Sequence, residues 1–415
     1  MSRSHGRQDH DADGRATRPF DIVCLSANHW TSLPTSKQHL MTVLSRSHRV
    51  LYVDPPLDVF STLGRRRRWP KFRGLRPVGE GLWVLSPVTA SSSSSPDWRL
   101  AHYEAVAPRV RRAAESLGID RPVVWTFAPE QRAALSALDP ALTVYQAADD
   151  PAAMSPDPAR TEELERDHVA SSDVVFAVSA ALCRGRESLA KVHRVPNAAN
   201  RSHYSRVLAG DKGATLDEFV EALAGREATA ARPDLLPPGG RPLVLFGGAA
   251  YSWFDEGLLG EVAGLRPDWD FVLVGPLGRE AADARMPANV TRVGRRPYDE
   301  FPRYVAAADV CIIPWRLDRF SEHADPIVLY EYLLCGKPVV TTPFPAALER
   351  GDMVRTASTS GGFAAEIERA LEEDTTAESI RARVEFGFSS TWEDRAREVE
   401  SIVEMELEAR GEGEA

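Results

Sequence analysis

Short apolar runs rich in β-branched residues recur along the chain and alternate with stretches of helical character. Two such runs lie at Asp21–Ser26 and Arg49–Asp54, and continuous apolar runs of this length are typical of buried strands in a parallel sheet. Between them, Thr35 or Ser36 can cap a helix that extends to about Ser45. Strand, helix and strand at this spacing form a βαβ unit, so the pattern predicts an α/β fold built on parallel sheets.

Changes in polarity divide the chain into five segments. Residues 1–19 are polar and predict a disordered tail, and residues 201–240 combine an Ala-rich helix with a Pro-Gly break that indicates an insertion and a linker. We expect a first domain over residues 20–200 and a second domain over residues 241–385. Residues 386–415 predict a terminal helix.

The composition is that of an ordinary globular protein, with 43% hydrophobic and 27% charged residues among 415. A formal net charge of −10 argues against nucleic acid as the main partner. The sequence contains no apolar run long enough to span a membrane and no N-terminal signal peptide, so we expect a cytoplasmic protein. Four widely spaced cysteines show no metal-binding spacing and predict reduced, buried thiols.

The stretch Asp325–Thr342, DPIVLYEYLLCGKPVVTT, combines a short helix with a buried strand. Asp325 suits the N-cap and Pro326 suits the first helical position, because proline needs no hydrogen-bond donor there. Gly336 is suited to end the helix, and the β-branched run after Pro338 predicts the strand.

Glu331 is the polar residue that stands out on this helix. The apolar stripe of the helix consists of Leu329, Tyr330, Leu333 and Leu334. Glu331 lies off the centre of that stripe, so we expect it to point away from the core. A carboxylate beside a helix N-terminus suits a nucleotide, with Glu331 on the ribose hydroxyls and the helix start on phosphate. The residues of that helix start are Pro326, Ile327 and Val328.

The pattern PxxxxEYxxxGKPVVxT in this stretch resembles the donor-site helix of GT-B glycosyltransferases. It is most similar to the retaining enzymes of glycosyltransferase family 4 and to their bacterial polysaccharide and teichuronic-acid-type relatives. In that family the residue that matches Glu331 holds the ribose of a nucleotide-sugar. The resemblance covers roughly residues 20–405 and implies two doubly wound, Rossmann-like domains that face each other across a cleft. It also implies a terminal helix that packs back across both domains.

The activity that this resemblance implies is glycosyl transfer with retention. The donor would be a nucleotide-sugar, and the acceptor a glycan, a lipid-linked molecule or a natural product. The nucleotide-sugar is a substrate, so no cofactor is expected. Two alternatives remain open: a nucleotide-sugar epimerase of the same fold, and a non-catalytic partner subunit that has lost the activity.

Three residues of the first domain are candidates for the acceptor side. His29 follows the first strand, and Asp149 and Asp150 follow the strand that ends at Ala147; ligands of parallel sheets bind beyond such strand ends. Similar enzymes carry the motif YxxxDD here, and some use an aspartate of this domain as the base. The alternative for His29 is a loop histidine bonded to backbone, and the alternative for the two aspartates is an Asp-Pro turn.

The second domain departs from its relatives where phosphate should bind. Gly247 and Gly248 end its first strand and let the backbone approach a ligand closely. The Arg and Lys that the family usually carries near this loop are absent, and Val328 stands where a Lys is common. Replacement cations should come from neighbouring loops. The candidates are Arg295, Arg296, Arg316 and Arg319, with Arg316 favoured and Lys337 weaker.

No metal site is expected from the sequence. Asp268-Trp269-Asp270 has the letters of a DxD motif but precedes its strand, and Asp11-Ala12-Asp13 lies in the tail. GxGxxG, Walker A, HExxH and GxSxG motifs are also absent from the sequence.

The segment Arg65–Arg73 is strongly basic and contains aromatic residues. Cations beside aromatic residues suit contact with an anionic membrane surface, each cation adding about 1 kcal/mol. The segment therefore predicts peripheral contact with the inner face of the membrane, or else a solvated loop.

Overall fold

The computed structural model describes residues 20–58, 74–89, 95–210, 215–224 and 233–414. Three features of the sequence lie outside these ranges: the tail at residues 1–19, the Asp11-Ala12-Asp13 motif, and the basic segment Arg65–Arg73. The prediction of membrane contact therefore stays a prediction.

The first domain is built on an eight-stranded sheet with the order β10-β9-β8-β7-β1-β2-β5-β4. All neighbouring strands are parallel except β4 and β5, which are antiparallel. Its strands are β1 (Ile22–Leu25), β2 (Val50–Val53), β4 (Leu75–Gly79), β5 (Leu82–Leu85), β7 (Val123–Thr126), β8 (Leu142–Ala147), β9 (Val174–Ala177) and β10 (Val192–Arg194). Two short strands, β3 (Leu57–Asp58) and β6 (Val88–Thr89), form a separate parallel pair.

Helices cover both faces of this sheet. They are α1 (Ser36–Leu44), α2 (Pro96–Ser116), α3 (Leu135–Leu138), α4 (Pro158–Ser171) and α5 (Ala180–Arg184). Successive residues of one strand face different cores: Ile22 and Cys24 pack in a core with α1, whereas Val23 and Leu25 pack in a core with α2. Burial of both faces is the reason the strands are apolar throughout.

The second domain contains a six-stranded, fully parallel sheet with the order β13-β12-β11-β14-β15-β16. Its strands are β11 (Leu243–Gly247), β12 (Asp270–Val274), β13 (Val290–Gly294), β14 (Val310–Ile313), β15 (Val339–Thr341) and β16 (Arg355–Thr356). The order reverses beside β11, just as the first sheet reverses beside β1, so both domains are doubly wound. The predicted α/β class with two Rossmann-like domains is confirmed.

The remaining helices pack on the second sheet or connect the domains. They are α6 (Arg201–Ala209), α7 (Leu216–Ala224), α8 (Glu256–Leu265), α9 (Arg279–Asp283), α10 (Phe301–Ala307), α11 (Arg319–His323), α12 (Ile327–Leu334), α13 (Pro345–Leu348), α14 (Ser360–Glu373), α15 (Ala377–Ser389) and α16 (Trp392–Glu414). Tyr204 and Phe219, from α6 and α7, belong to the core of the second domain. Trp392 and Val399 of α16 belong to the core of the first domain, so the chain crosses back after α15. Among the described helices, none is long and apolar enough to cross a membrane.

The helix that was expected to begin at Pro326, with Asp325 as its N-cap, begins one residue later. Pro326 is the N-cap and the helix begins at Ile327, because the Asp325 carboxylate accepts hydrogen bonds from Asn197 and Tyr330 instead of capping. The predicted end is confirmed: Gly336 follows the C-cap with a φ of 65°. All four cysteines are buried and free, as predicted.

Helix α15 was not predicted, and it packs closely against α12 through Gly387. A Cβ atom on Gly387 would lie 2.5 Å from the Cα of Leu334. We therefore expect Gly387→Ala to lower the free energy of unfolding by about 1–3 kcal/mol, the usual cost of overpacking, as measured by denaturant unfolding.

Gly264→Ala is the matched control for this substitution. Gly264 lies in α8, where an added Cβ would meet no atom within 4 Å. Alanine there should be neutral or stabilise by up to about 1 kcal/mol, because it favours the helix. Equal stabilities of the two variants would contradict the tight packing of α15 on α12.

Candidate functional site

A cavity of about 530 Å³ lies between the two domains. It is lined by the loop after β1, the loop after β8, the loop after β11 and the start of α12. These segments follow the carboxyl ends of strands or lie beside them, and the strand order reverses at β1 and β11. Such a crevice is where doubly wound sheets bind ligands.

A smaller cavity of about 110 Å³ adjoins the first. Both cavities are lined by Leu33, Gly248, Ile327 and Val328. The smaller one also includes Glu331 and Tyr298. The structure therefore brings the predicted helix start, one of the two glycines and Glu331 together.

The two glycines after β11 have different roles. A Cβ atom on Gly247 would lie 2.3 Å from the ring of Phe301, so this position is limited to glycine by packing. Gly248 has a φ of 136°, which side chains rarely allow, and it lines both cavities. Both glycines line the large cavity, and Gly248 also lines the smaller one, so the backbone at both positions can approach a ligand closely.

Glu331 is buried, with only 3% of its surface exposed. The expectation that it points away from the core is wrong, because α12 is covered on all sides and its outer side meets the turn at Tyr298. The Tyr298 hydroxyl donates a hydrogen bond to the Glu331 carboxylate at 3.1 Å. Burial raises the pKa of Glu331 to about 7, although the hydrogen bond from Tyr298 opposes the shift.

Asp149 lines the large cavity and faces Lys37 of α1. The Lys37 Nζ lies 3.7 Å from an Asp149 carboxylate oxygen, and 39% of the Asp149 side chain is exposed. Although the side chain is partly exposed, loss of solvation around the carboxylate raises the pKa of Asp149, and the charge of Lys37 opposes that effect. Lys37 was not singled out by the sequence analysis. In the sequence it is an ordinary lysine in the first turn of a helix, and nothing near it in the chain indicates the cavity.

Asp150 does not line the cavity but joins the two domains. Its carboxylate accepts a hydrogen bond of 2.6 Å from Arg319, which also lies 2.6 Å from Glu162. Burial alone would raise the pKa of Asp150, but the hydrogen bond and charge of Arg319 outweigh it and lower the pKa. Asp150 also accepts a hydrogen bond from the backbone of Ala152, which fits the turn alternative.

His29 lies outside the set of residues that line the cavity, although its neighbour Asn28 is part of it. The Nδ1 atom of His29 is 3.7 Å from Asp54. Asp54 also accepts hydrogen bonds from the backbone of Trp30 and from Ser86. The structure therefore places the His29 side chain beside a buried carboxylate and not in the lining of the cavity.

The predicted phosphate-binding arginines separate into two groups. Arg295 is exposed and lines the large cavity, and Arg296 lines the smaller one. Arg316 lines neither cavity and donates a hydrogen bond to Glu256 at 2.8 Å. Arg319 is paired with Asp150 and Glu162. The geometry thus favours Arg295 over Arg316, the residue first favoured by the sequence.

Lys337 and Asp268 are two further residues that the sequence analysis considered. Lys337 donates hydrogen bonds to the carbonyl oxygens of Ala306 and Ala308 at the end of α10, as expected for a lysine at a helix C-terminus. Asp268 pairs with Arg266 at 2.8 Å, just before β12 begins. Over the described part of the chain, no cluster of three or more His, Cys, Asp or Glu side chains could hold a metal ion.

Comparison with known proteins identifies part of this arrangement. Residues 242–373 match the family model described as "Glycosyl transferases group 1". This match spans most of the second domain. The chain is also 31% identical over 121 residues to a Bacillus subtilis protein that bears the name teichuronic acid biosynthesis glycosyltransferase TuaH. That match covers 28% of this chain and 30% of the relative.

Solved structures extend the likeness in fold to both domains of the chain. Sucrose-phosphate synthase from Thermosynechococcus elongatus superposes with a TM-score of 0.66 at 16% identity, covering 94% of this chain and all of that one. Anabaena Alr3699/HepE in complex with UDP gives a TM-score of 0.57 at 16% identity, covering 92% of this chain and 99% of that one. The chain therefore has the GT-B fold.

The raised pKa of Glu331 makes the stability of the protein depend on pH. Its ordinary value is 4.5 and its value in the folded protein is about 7, so the folded state binds this proton more tightly. The free energy of unfolding should therefore fall as the pH rises from about 4.5 to about 7 and then level off. At about 1.4 kcal/mol per pKa unit, this contribution is up to about 3 kcal/mol.

Glu331→Gln should remove this contribution while keeping the shape of the side chain. Unfolding of both proteins should be followed between pH 4.5 and pH 8, with Glu368→Gln as a control, because Glu368 is half exposed. Parallel curves for wild type and Glu331→Gln would show that the folded protein does not raise this pKa.

Proposed function

We propose that this protein is a glycosyltransferase that moves a sugar from a nucleotide-sugar to an acceptor. The observation that carries the proposal is the interdomain cavity of a GT-B fold, in which Glu331, Gly248 and the start of α12 come together. The group 1 domain match supports it over the same elements.

The donor side follows from the second domain. The Glu331 carboxylate accepts hydrogen bonds from the ribose hydroxyls in the smaller cavity. The first N–H groups of α12, at Ile327 and Val328, have no hydrogen-bond partner within the helix. They form the positive end of the helix dipole, which attracts the pyrophosphate. Arg295 supplies a cation from the loop after β13.

The acceptor side follows from the first domain, where Asp149 is the proposed base. The donor C1–O bond breaks and its electron pair passes to the β-phosphate oxygen. The acceptor oxygen forms the new bond to C1, with retention as the family resemblance implies, and its proton passes to the Asp149 carboxylate. A carboxylate whose pKa is raised accepts a proton more readily than an ordinary aspartate.

We expect the reaction to proceed without a metal ion. The DxD-like Asp268 lies at the opposite edge of the sheet and is paired with Arg266. The charge on the leaving phosphate would then be met by helix N-termini and cations. Turnover in EDTA should equal turnover in Mg²⁺ or Mn²⁺, and a strict requirement for either ion would refute metal independence.

UDP is the first nucleotide to test, because the similar Anabaena structure holds UDP. At about 100 times its Kd, the right nucleotide should stabilise the fold by about 2.7 kcal/mol. Thermal unfolding with UDP, GDP and dTDP, alone and as sugar conjugates, identifies the base. Glu331→Gln should weaken binding by about 1.5–3 kcal/mol, the range for hydrogen bonds to a charged group, whereas Glu368→Gln should bind like wild type.

The outcomes of this measurement separate the proposal from its alternatives. If none of the nucleotides binds, the protein is not a glycosyltransferase and the non-catalytic partner subunit takes its place. If a UDP-sugar binds and free sugar is released without transfer to any acceptor, the epimerase alternative gains support. Equal binding by wild type and Glu331→Gln would remove Glu331 from the ribose.

A further inference from the structure

Lys37 holds an unusual position in the interdomain cavity. It is the second residue of α1, its surface is only 6% exposed, and it lines the cavity. Its nearest recorded neighbours are an Asp149 oxygen at 3.7 Å and the Phe127 ring centre at 5.5 Å. The ammonium therefore forms an ion pair with Asp149 that is longer than an ordinary hydrogen bond, and it lies over an aromatic ring. An ammonium has three N–H donors, and one long ion pair leaves donors of Lys37 available to a ligand in the cavity.

The start of α1 strengthens the positive potential at this point. Thr35, Ser36 and Lys37 all line the cavity, and the first turn of α1 contains no acidic residue. The start of α12 lines the same cavity from the second domain. Two helix N-termini, one from each domain, therefore direct positive potential into a single space.

The second domain contributes Arg295 to the large cavity and Arg296 to the smaller one, so it places a single cation in the large cavity. Val328 provides no charge, Arg316 is paired with Glu256, and Arg319 is paired with Asp150 and Glu162. Among the described residues that line the large cavity, the cations are Arg295 and Lys37. A group with two negative charges needs a second cation, and the first domain supplies it.

We propose that Lys37 is a catalytic residue that binds the leaving β-phosphate of the donor from across the cleft. This inference rests on the proposed function. As the C1–O bond breaks, its electron pair passes to the β-phosphate oxygen, and the Lys37 ammonium donates hydrogen bonds to that oxygen. The acceptor proton still goes to Asp149. Lys37 therefore acts on the leaving phosphate oxygen, and the neighbouring Asp149 acts on the acceptor oxygen.

The test compares the binding of UDP with the binding of UMP, which lacks the β-phosphate. Lys37→Met should reduce the affinity for UDP about tenfold or more, because it removes the cation beside that phosphate. The affinity for UMP should stay within about twofold, which also reports that the variant is folded. Lys37→Arg should keep most of the preference for UDP, because it keeps the charge.

Lys191→Met is the matched control, since Lys191 is an exposed lysine of the same domain that pairs with Glu406 outside the cavity. It should retain the wild-type ratio of UDP to UMP affinity. If wild type binds UDP and Lys37→Met keeps the wild-type ratio, the role of Lys37 is refuted while the proposed function stands. If UDP, GDP and dTDP all fail to bind wild type, the proposed function itself is refuted.

With a sugar donor, the same variant gives a second readout. Release of UDP from the UDP-sugar that wild type turns over should slow about tenfold or more in Lys37→Met at saturating donor, because the charge on the phosphate oxygen is largest as the bond breaks. A lower kcat, together with loss of the preference for UDP over UMP, supports the role of Lys37 in stabilising the leaving phosphate. An unchanged kcat at saturation contradicts it.

Discussion

The hydrogen bonds of Asp325 hold the start of α12 against the first domain, and the arrangement of the cavity depends on them. Its buried carboxylate accepts from the backbone N–H of Asn197 at 2.7 Å and from the Tyr330 hydroxyl at 2.9 Å. Burial raises the pKa of Asp325, and Arg350 opposes the shift. Because Asn197 follows the last strand of the first domain, this contact fixes where one helix N-terminus meets the other domain.

From that constraint the chemistry of the cavity follows. Its two walls carry complementary groups, with Glu331 and the start of α12 on one side and Lys37 with Asp149 on the other. The pKa values of Asp149 and Glu331 are both raised, because an ionised carboxylate loses solvation in such surroundings. The positive groups that remain open to the cavity come from both domains, so the binding of a pyrophosphate would require the two walls together.

The elements of the fold could be predicted from sequence because they depend on local patterns. The apolar strands, the Thr35 cap and the Gly336 helix end are each specified by a few neighbouring residues. The burial of Glu331 could not be predicted, because the residue that covers it, Tyr298, is 33 positions away in the chain. The pairing of Arg319 with Asp150 and the position of Lys37 likewise depend on how the domains meet. Helical periodicity shows which face is apolar, but it does not show what packs against the other face.

The central claim is that the interdomain cavity binds a nucleotide through Glu331. The most direct measurement is a crystal structure of the protein with UDP. We predict that UDP lies in the cavity with its ribose hydroxyls about 3 Å from the Glu331 carboxylate and its phosphates between the starts of α1 and α12. UDP bound outside this cavity, or inside it with the ribose away from Glu331, would contradict the account.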